Sequence, residues 1–579
     1  MRDYLPCLDW LKQYDKPAFM GDMLAAVIVT IMLIPQSLAY ALLAGLPAEV
    51  GIYASILPLI VYAIFGTSRS LSVGPVAVVS IMTASAISGI AEPGTAAYLQ
   101  SAIFLALISG LFMLAMGILK LGFLANFLSH PVVAAFITGS AIVIIFSQLD
   151  HLMGVELAGG NVIAILASAL GAIDRIHMPT LALSLFALGF LFGTRYGLKP
   201  LLEKFGMAPK TASLLAKTGP VLGVVITSLL AYYYHLDEQG VALVGQVPAG
   251  LPAIGIPAFE QLAWKELTIA ALFISLIGFV ESVSVGQTLA AKRKYKIHPN
   301  QELIGLGGAN IASAVSGGYP VTGGFARSVV NFEAGAVTPA AGAFTAIGMM
   351  ITALFFTPYI AFLPKATLAA TIVVAVMSLV DFSILAKTFR YSRTDFFAAI
   401  STLLATVAFG IEAGVMFGVL SSLAMHLYKT SKPHIAVVGE VPGTEHFRNV
   451  DRHHVITQTE ILSVRIDESL YFANAAYIEE QLEELLATHP DVEHLVLQCT
   501  AVNEIDISGL EVLQSINDDL ALRNIQLHLS EVKGPVMDVL KRSDFIDKLT
   551  GDIYLSQHQA VHGLSRRQNW QEEASTGYL

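Results

Sequence analysis

Charge is what this sequence has least of. Only 13% of its 579 residues are Asp, Glu, Lys or Arg, against about 25% in an ordinary soluble protein. The deficit is local. From Asp22 to about Lys429 the chain is a series of long apolar runs with short breaks, and from about Ser431 it turns into ordinary charged sequence. This pattern reads as an integral membrane domain followed by a soluble one. Cysteine is almost absent: Cys7 and Cys499 lie in different regions, which argues against a disulfide framework and against a zinc site. No basic patch with interleaved aromatics occurs, so nucleic acid is not an expected partner. The net charge of −11 comes largely from the C-terminal part. No GxxxxGK[ST] loop is present, which disfavours ATP-driven work. No nucleophile–base pair or metal-ligand cluster stands out in the apolar runs, so neither an enzyme nor a cofactor is expected. Residues 1–21 lack the apolar core of a signal peptide and are expected to be retained.

Read as helices, the apolar runs give about fourteen segments: roughly 22–44, 51–66, 75–90, 97–119, 127–148, 178–194, 218–234, 266–291, 301–316, 322–335, 338–357, 365–380, 394–410 and 411–428. With the N-terminus in the cytoplasm, the inner loops collect Lys12, Lys16, Arg69, Lys120, the run from Arg195 to Lys217, "KRKYK" (292–296), Lys387, Arg390, Arg393, Lys429 and Lys432. The outer loops hold Arg175, Lys265 and Lys365. That asymmetry satisfies the positive-inside rule with both ends cytoplasmic, in a cell membrane. The interval from Gln36 to Pro75 equals that from Glu281 to Pro320, with Ser37 and Ser282 in the same register. Seven spans per half would set the halves in opposite orientations, the inverted-repeat plan of secondary transporters. Chance spacing between two proline-containing segments is the alternative.

Two of the segments are short and begin at unusual places. "SVGPVAVVS" (72–80) and "YPVTGGFARS" (319–328) each put proline and glycine at the head of an apolar run. Proline in a first turn loses no hydrogen bond, so both read as starts of half-helices. Inverted topology points their N-termini at each other, and free N–H groups with positive dipole ends suit an anion between them. Arg327 lies near the start of the second, and a central arginine costs about 2.5–3.5 kcal/mol to insert. It needs a wet cavity or a partner; snorkelling to the inner face or pairing with Glu281 are the other options. Glu281, in "SLIGFVESVSVGQ" (275–287), suits a proton carrier, because burial favours the neutral acid and protonation removes its repulsion of an anion. Equally, it could balance Arg327. Gln36 and Tyr40 stand one helical turn apart and could donate to an anion or serve helix packing.

These residues also carry a resemblance. "PQSLAYALLAGLPAEVGIYASILPLIVYAIFGTSRSLSVGPVAVVS" (35–80), "YPVTGGFARSVVN" (319–331) and "IDISGLEVL" (505–513) together resemble the sulfate permease (SulP) family of anion transporters, over nearly the whole chain. The resemblance implies a polytopic α-helical membrane protein of fourteen spans, built as seven-plus-seven inverted repeats with two half-helices. A core domain would move against a gate domain, and the anion would sit between the third and tenth spans. Carried over by position, Gln36, Tyr40, Val76, Ala326 and Arg327 line the site. With the broken segments, the candidate anion-binding set is Gln36, Tyr40, Gly74, Val76, Thr322, Gly323, Ala326 and Arg327, and Glu281 is the proton-coupling candidate. Relatives often carry a larger or aromatic residue in place of Val76 and a serine in place of Ala326. Proton-coupled sulfate symport by a homodimer is the expected activity. Bicarbonate or dicarboxylate transport, or an exchanger or channel on the same fold, are the alternatives.

The expected organisation is a membrane domain at 22–430, with repeats at about 22–236 and 264–430. A linker at 431–434, a soluble domain at 435–560 and a tail at 561–579 follow. In the soluble part, "ILSVRI" (461–466), "HLVLQC" (494–499) and "IQLHLS" (525–530) alternate with helical stretches at 473–488, 508–521 and 533–543. Such alternation predicts a small α/β domain, and it resembles the STAS domain shared by sulfate transporters and anti-sigma-factor antagonists. The antagonists' phosphorylated serine is replaced by Ile507 in Asp506-Ile507-Ser508-Gly509. Ser508, with Glu511 at capping-box spacing, reads as a helix N-cap. The domain is expected to serve folding, dimerisation or docking of a protein partner.

Overall fold

The computed structural model describes residues 5–126, 129–157, 161–216, 218–246, 248, 250–255 and 264–565. The chain forms two compact units, Met1–Ser422 and Leu423–Leu579.

The first unit is helical. Among the described residues, eight helices are long and apolar enough to cross a membrane, from Lys16–Leu43 to Lys365–Tyr391. Helices occupy each of the fourteen expected segments, but several are short. Ala77–Ser88 has 12 residues and Phe325–Ala334 has 10. At 1.5 Å per residue they reach roughly 15–18 Å, about half of the ~30 Å hydrocarbon layer. The apolar helix Val162–Gly171 and the helix Ser383–Tyr391 were not expected from the sequence.

Small residues let the helices approach closely, as membrane packing requires. A Cβ on Gly110 would sit 2.8 Å from the Gly307 carbonyl, and one on Gly307 would sit 2.8 Å from the Gly110 carbonyl. This reciprocal contact joins Ala96–Ile118 to Pro299–Val315. The latter helix also carries a fully buried carboxylate, Glu302. It accepts from Tyr62 Oη (2.7 Å) and from the amides of Thr67 (2.7 Å) and Ser68 (3.1 Å), so its desolvation is offset by donors from the other half of the unit.

Two short strands stand before the half-length helices. β1 (Val73–Gly74) pairs antiparallel with β2 (Thr322–Gly323), with Val73 opposite Gly323 and Gly74 opposite Thr322. The helices then start at Ala77 and Phe325, with Val76 and Gly324 as N-caps. Pro75 and Pro320 therefore precede the first turn rather than occupying it. The reason is tertiary: Pro75 follows and Pro320 precedes a short extended piece, and the two pieces pair with each other.

The second unit holds a six-stranded sheet. In chain order its strands are β3 (Ile435–Glu440), β4 (Phe447–Asn449), β5 (Ile461–Ile466), β6 (His494–Gln498), β7 (Gln526–Ser530) and β8 (Ile553–Tyr554), arranged β4-β3-β5-β6-β7-β8. β5 through β8 are parallel, and β3 joins β5 antiparallel. Leu462, Val464, Leu495, Leu497, Leu527 and Leu529 pack against Ile478, Leu482, Leu513 and Leu520 of the covering helices. The cap of Ile507–Leu522 is Asp506, whose Oδ1 accepts from the Gly509 amide at 2.8 Å. Ser508 is thus one residue inside the helix and not its cap, because Asp506 already has the extended backbone that a cap needs. A final helical stretch, 557–565, runs past residue 560, and Val561 and Leu564 are buried with Ala436, Val438 and Phe447.

Candidate functional site

A small cavity of about 40 Å³ lies where the two half-length helices begin. One water needs roughly 10–15 Å³ on this measure, so the space suits a few waters or one compact ion. Gln36, Tyr40, Val76, Glu281, Ala326 and Arg327 all line it. These six come from four separate stretches of chain, and all were expected from the sequence.

The backbone supplies donors from two directions. In Ala77–Ser88 the first internal bond runs from the Ser80 amide to the Val76 carbonyl; in Phe325–Ala334 it runs from Ser328 to Gly324. The amides of residues 77–79 and 325–327 find no acceptor among the described residues, as the first turn of a helix dictates. Ala77, Val78, Phe325, Ala326 and Arg327 lie on the cavity wall.

Arg327 is 2% exposed, among the largest fully buried side chains of the chain. Its Nη1 donates to the Pro75 carbonyl, which ties the second half-length helix to the approach of the first. Nε and Nη2 have no hydrogen-bond partner. The side chain does not snorkel, and no ion pair joins it to Glu281, whose buried Oε2 is also unpartnered. Glu281 sits on Trp264–Lys292 and lines a second, apolar cavity with Val132, Phe136, Ile277 and Gly414. Among the described residues no hydrogen bond holds the Gln36 amide or the Tyr40 hydroxyl, so both remain available to an occupant.

Gly74, Thr322 and Gly323 do not line the cavity. Thr322 is fully buried, donates to the Gly278 carbonyl at 2.6 Å and shares a 2.6 Å hydrogen bond with Ser282. The Gly323 amide donates to Ser282 Oγ at 2.9 Å. The groups of Thr322 and Gly323 are consumed in clamping β2 to the helix that carries Glu281, and Gly74 is paired opposite Thr322. Ser282 was legible only as a register mate of Ser37; its hydroxyl turns out to organise the break.

A larger cavity of about 420 Å³ shares Gln36, Phe325, Ala326 and Ala375 with the first. Arg195, Lys199, Thr194 and Glu333 line it, and Arg195 donates to the Val374 carbonyl. Sequence reading had placed Arg195 and Lys199 only as loop charges.

Comparison with known proteins agrees with this geometry. Residues 19–402 match the sulfate permease family and residues 454–560 match the STAS domain. The chain is 36% identical to the probable sulfate transporter 4.2 of Arabidopsis thaliana, over 96% of this chain and 83% of that protein. It is 31% identical to a probable sulfate transporter of Mycobacterium tuberculosis, over 97% and 98% of the two chains. Its fold is similar to that of the murine anion transporter Slc26a9 in the inward-facing state, with TM-score 0.85, 22% identity, and 97% and 94% of the two chains covered. A multi-pass helical domain built around two interrupted helices, followed by a STAS domain, places the chain in a family of transporters: it belongs to the sulfate permease family.

Proposed function

We propose that this anion transporter carries sulfate by proton-coupled symport, with alternating access around the Arg327 cavity. The observation that carries this reading is a guanidinium 2% exposed with two nitrogens lacking any partner. Leaving such donors unmet in a buried site costs energy, and a doubly charged oxyanion meets them. The unpaired amides at the two helix starts add partial positive charge, and Gln36 and Tyr40 add neutral donors. Val76 and Ala326, both small, leave the cavity open at the point where the helices converge. The relatives described as sulfate transporters favour sulfate among the oxyanions.

Glu281 is the proposed proton carrier. It shares the cavity wall with Arg327 but makes no ion pair with it, so its charge is not spent on a permanent partner. Ionised, it repels the anion; protonated, it admits it. The larger cavity carries Arg195 and Lys199, from the loop that the positive-inside rule sets in the cytoplasm. The wall residues it shares with the site support an inward-facing state, with both termini cytoplasmic and the protein in the cell membrane. The antiparallel pairing of β1 with β2 supports two inverted repeats that meet at the site. The functional unit is proposed to be a homodimer, with the STAS domain docking a protein partner.

The test is uptake of labelled sulfate into proteoliposomes, with and without an acid-outside pH gradient. Accumulation driven by the gradient is expected. Vesicles that move bicarbonate or a dicarboxylate but no sulfate would keep the site and overturn the substrate.

A further inference from the structure

We propose that Glu440, His558 and His562 in the C-terminal unit form a binding site for a divalent transition metal, with zinc the best match. The scarcity of cysteine argues against a thiolate site, but imidazole and carboxylate are zinc ligands in their own right, and a His₂Glu set with one open position is a recognised combination. The sequence offers His558 and His562 four residues apart on the stretch 557–565, which is helical. That spacing sets both rings on one face. Glu440 comes from the end of β3, so the three ligands meet only in the folded domain.

The geometry is close to what a tetrahedral ion requires. His558 Nδ1 lies 3.1 Å from Glu440 Oε1, and His562 Nε2 lies 3.0 Å from Oε2. One ligand atom from each residue falls within 4.8 Å of the others. Zinc bonds of about 2.0–2.2 Å at tetrahedral angles set ligand atoms roughly 3.3 Å apart, which both histidine-to-Glu440 separations already approach. The two imidazole rings are 4.1 Å apart, centroid to centroid. As a pure ion-pair cluster, this would crowd two imidazolium charges, their rings tilted by 46°, over one carboxylate. Neutral rings sharing a cation avoid that repulsion.

Solvent can reach the site, because the side chains of Glu440, His558 and His562 are 19%, 31% and 45% exposed. A water or an external ligand would complete the coordination. Glu440 and His562 both lie outside residues 454–560, which match the STAS family, and His558 lies within them. Its occupant would fasten the helical stretch 557–565 to β3, reinforcing the apolar contacts of Ala560, Val561 and Leu564.

The experiment uses the full chain, purified in detergent and stripped with a chelator. Titration with zinc chloride, read by calorimetry and by elemental analysis after desalting, is expected to show one equivalent per chain. Cobalt(II) in its place is expected to give the visible bands of a four-coordinate ion. His558→Ala and His562→Ala should each weaken binding by more than about tenfold, since even outer-shell changes at metal sites cost that much. The paired variant His453→Ala/His454→Ala should leave it unchanged. Zinc should raise the unfolding temperature of the wild type and not of the His562→Ala variant. If either histidine variant misfolds, His558→Gln and Glu440→Gln provide the same comparison. No saturable equivalent in the wild type would overturn the proposal. So would an equivalent kept at full affinity by both histidine variants, or one lost only in the His453/His454 variant.

Discussion

At the scale of the residue, the account rests on Arg327. Its Nη1 is held by the Pro75 carbonyl while Nε and Nη2 are free. Arg327→Ala should therefore abolish anion binding and uptake while leaving expression and size-exclusion behaviour close to wild type. Arg327→Lys should also fail, because a point charge cannot hold Pro75 and present two further donors in a fixed fork. Glu281→Gln should flatten the dependence of uptake on external pH, where the wild type takes up sulfate faster as that pH falls. An unchanged profile in the Gln variant would end the proton-carrier assignment. In the soluble unit, burial pushes the Cys499 thiol up to about 12, with the nearby Glu531 charge adding to the effect. A maleimide at pH 8 should leave Cys499 unmodified until denaturant is added, since the thiolate is the reactive form. Gln36, Tyr40, Glu281 and Arg327 were legible because polar side chains inside apolar runs are conspicuous, whereas Val76 and Ala326 came only from the family resemblance. Gly74, Thr322 and Gly323 were expected in the site but do not line the cavity, because nothing local reveals that Ser282 and Gly278 occupy the hydrogen-bonding groups of Thr322 and Gly323 or that Gly74 is paired opposite Thr322. The buried carboxylates Asp22 and Glu302 were not singled out. Each sits near the end of an apolar run, where a charge reads as a loop residue, and each is satisfied by groups distant in sequence: Asp22 by the Val337 and Thr338 amides, Glu302 by Tyr62 and Thr67.

At the scale of the element, glycine does two different things. Gly324 caps the second half-length helix, and a Cβ there would meet Arg327 Nη2 at 2.9 Å and Val76 Cγ1 at 3.2 Å. Gly324→Ala should push the guanidinium aside and reduce sulfate uptake strongly, with the thermal stability of the protein little changed. Gly307→Val should do the opposite. Its side chain would drive into the Gly110 carbonyl and the Leu114 amide, and overpacking of this kind costs about 1–3 kcal/mol. The expected readout is a lowered unfolding temperature in detergent. The helices themselves were legible from hydrophobic run length, and β5 was legible to the residue from its apolar pattern. The starts of the half-length helices were not. Proline and glycine announce a break, but the pairing of β1 with β2 joins segments separated by more than two hundred positions in the chain, and only the folded backbone shows where each helix then begins.

At the scale of the molecule, the division of labour follows composition. The charge-poor part builds a membrane unit in which Gln36, Tyr40, Glu281 and Arg327 gather at one cavity, and the charged part builds a sheet domain. In the proposed transport cycle, the cationic side chains Arg195 and Lys199 on the larger cavity would raise the local concentration of an anion before it reaches Arg327. Sulfate uptake should accordingly weaken with rising ionic strength on that side, and the double variant Arg195→Gln/Lys199→Gln should lose most of this dependence. Chain-wide patterning made the two-part organisation legible, and the motifs at 35–80, 319–331 and 505–513 carried the family resemblance. Neither could reveal the Glu440–His558–His562 cluster, whose members are brought together only by the packing of the last helix on β3. The central claim is that one buried arginine between two helix starts holds the transported anion. The most direct measurement is equilibrium binding of labelled sulfate to purified wild-type protein and to Arg327→Ala, at matched folding and oligomeric state. Saturable binding by the wild type and none by the variant is the predicted result. Equal binding by both would contradict the account.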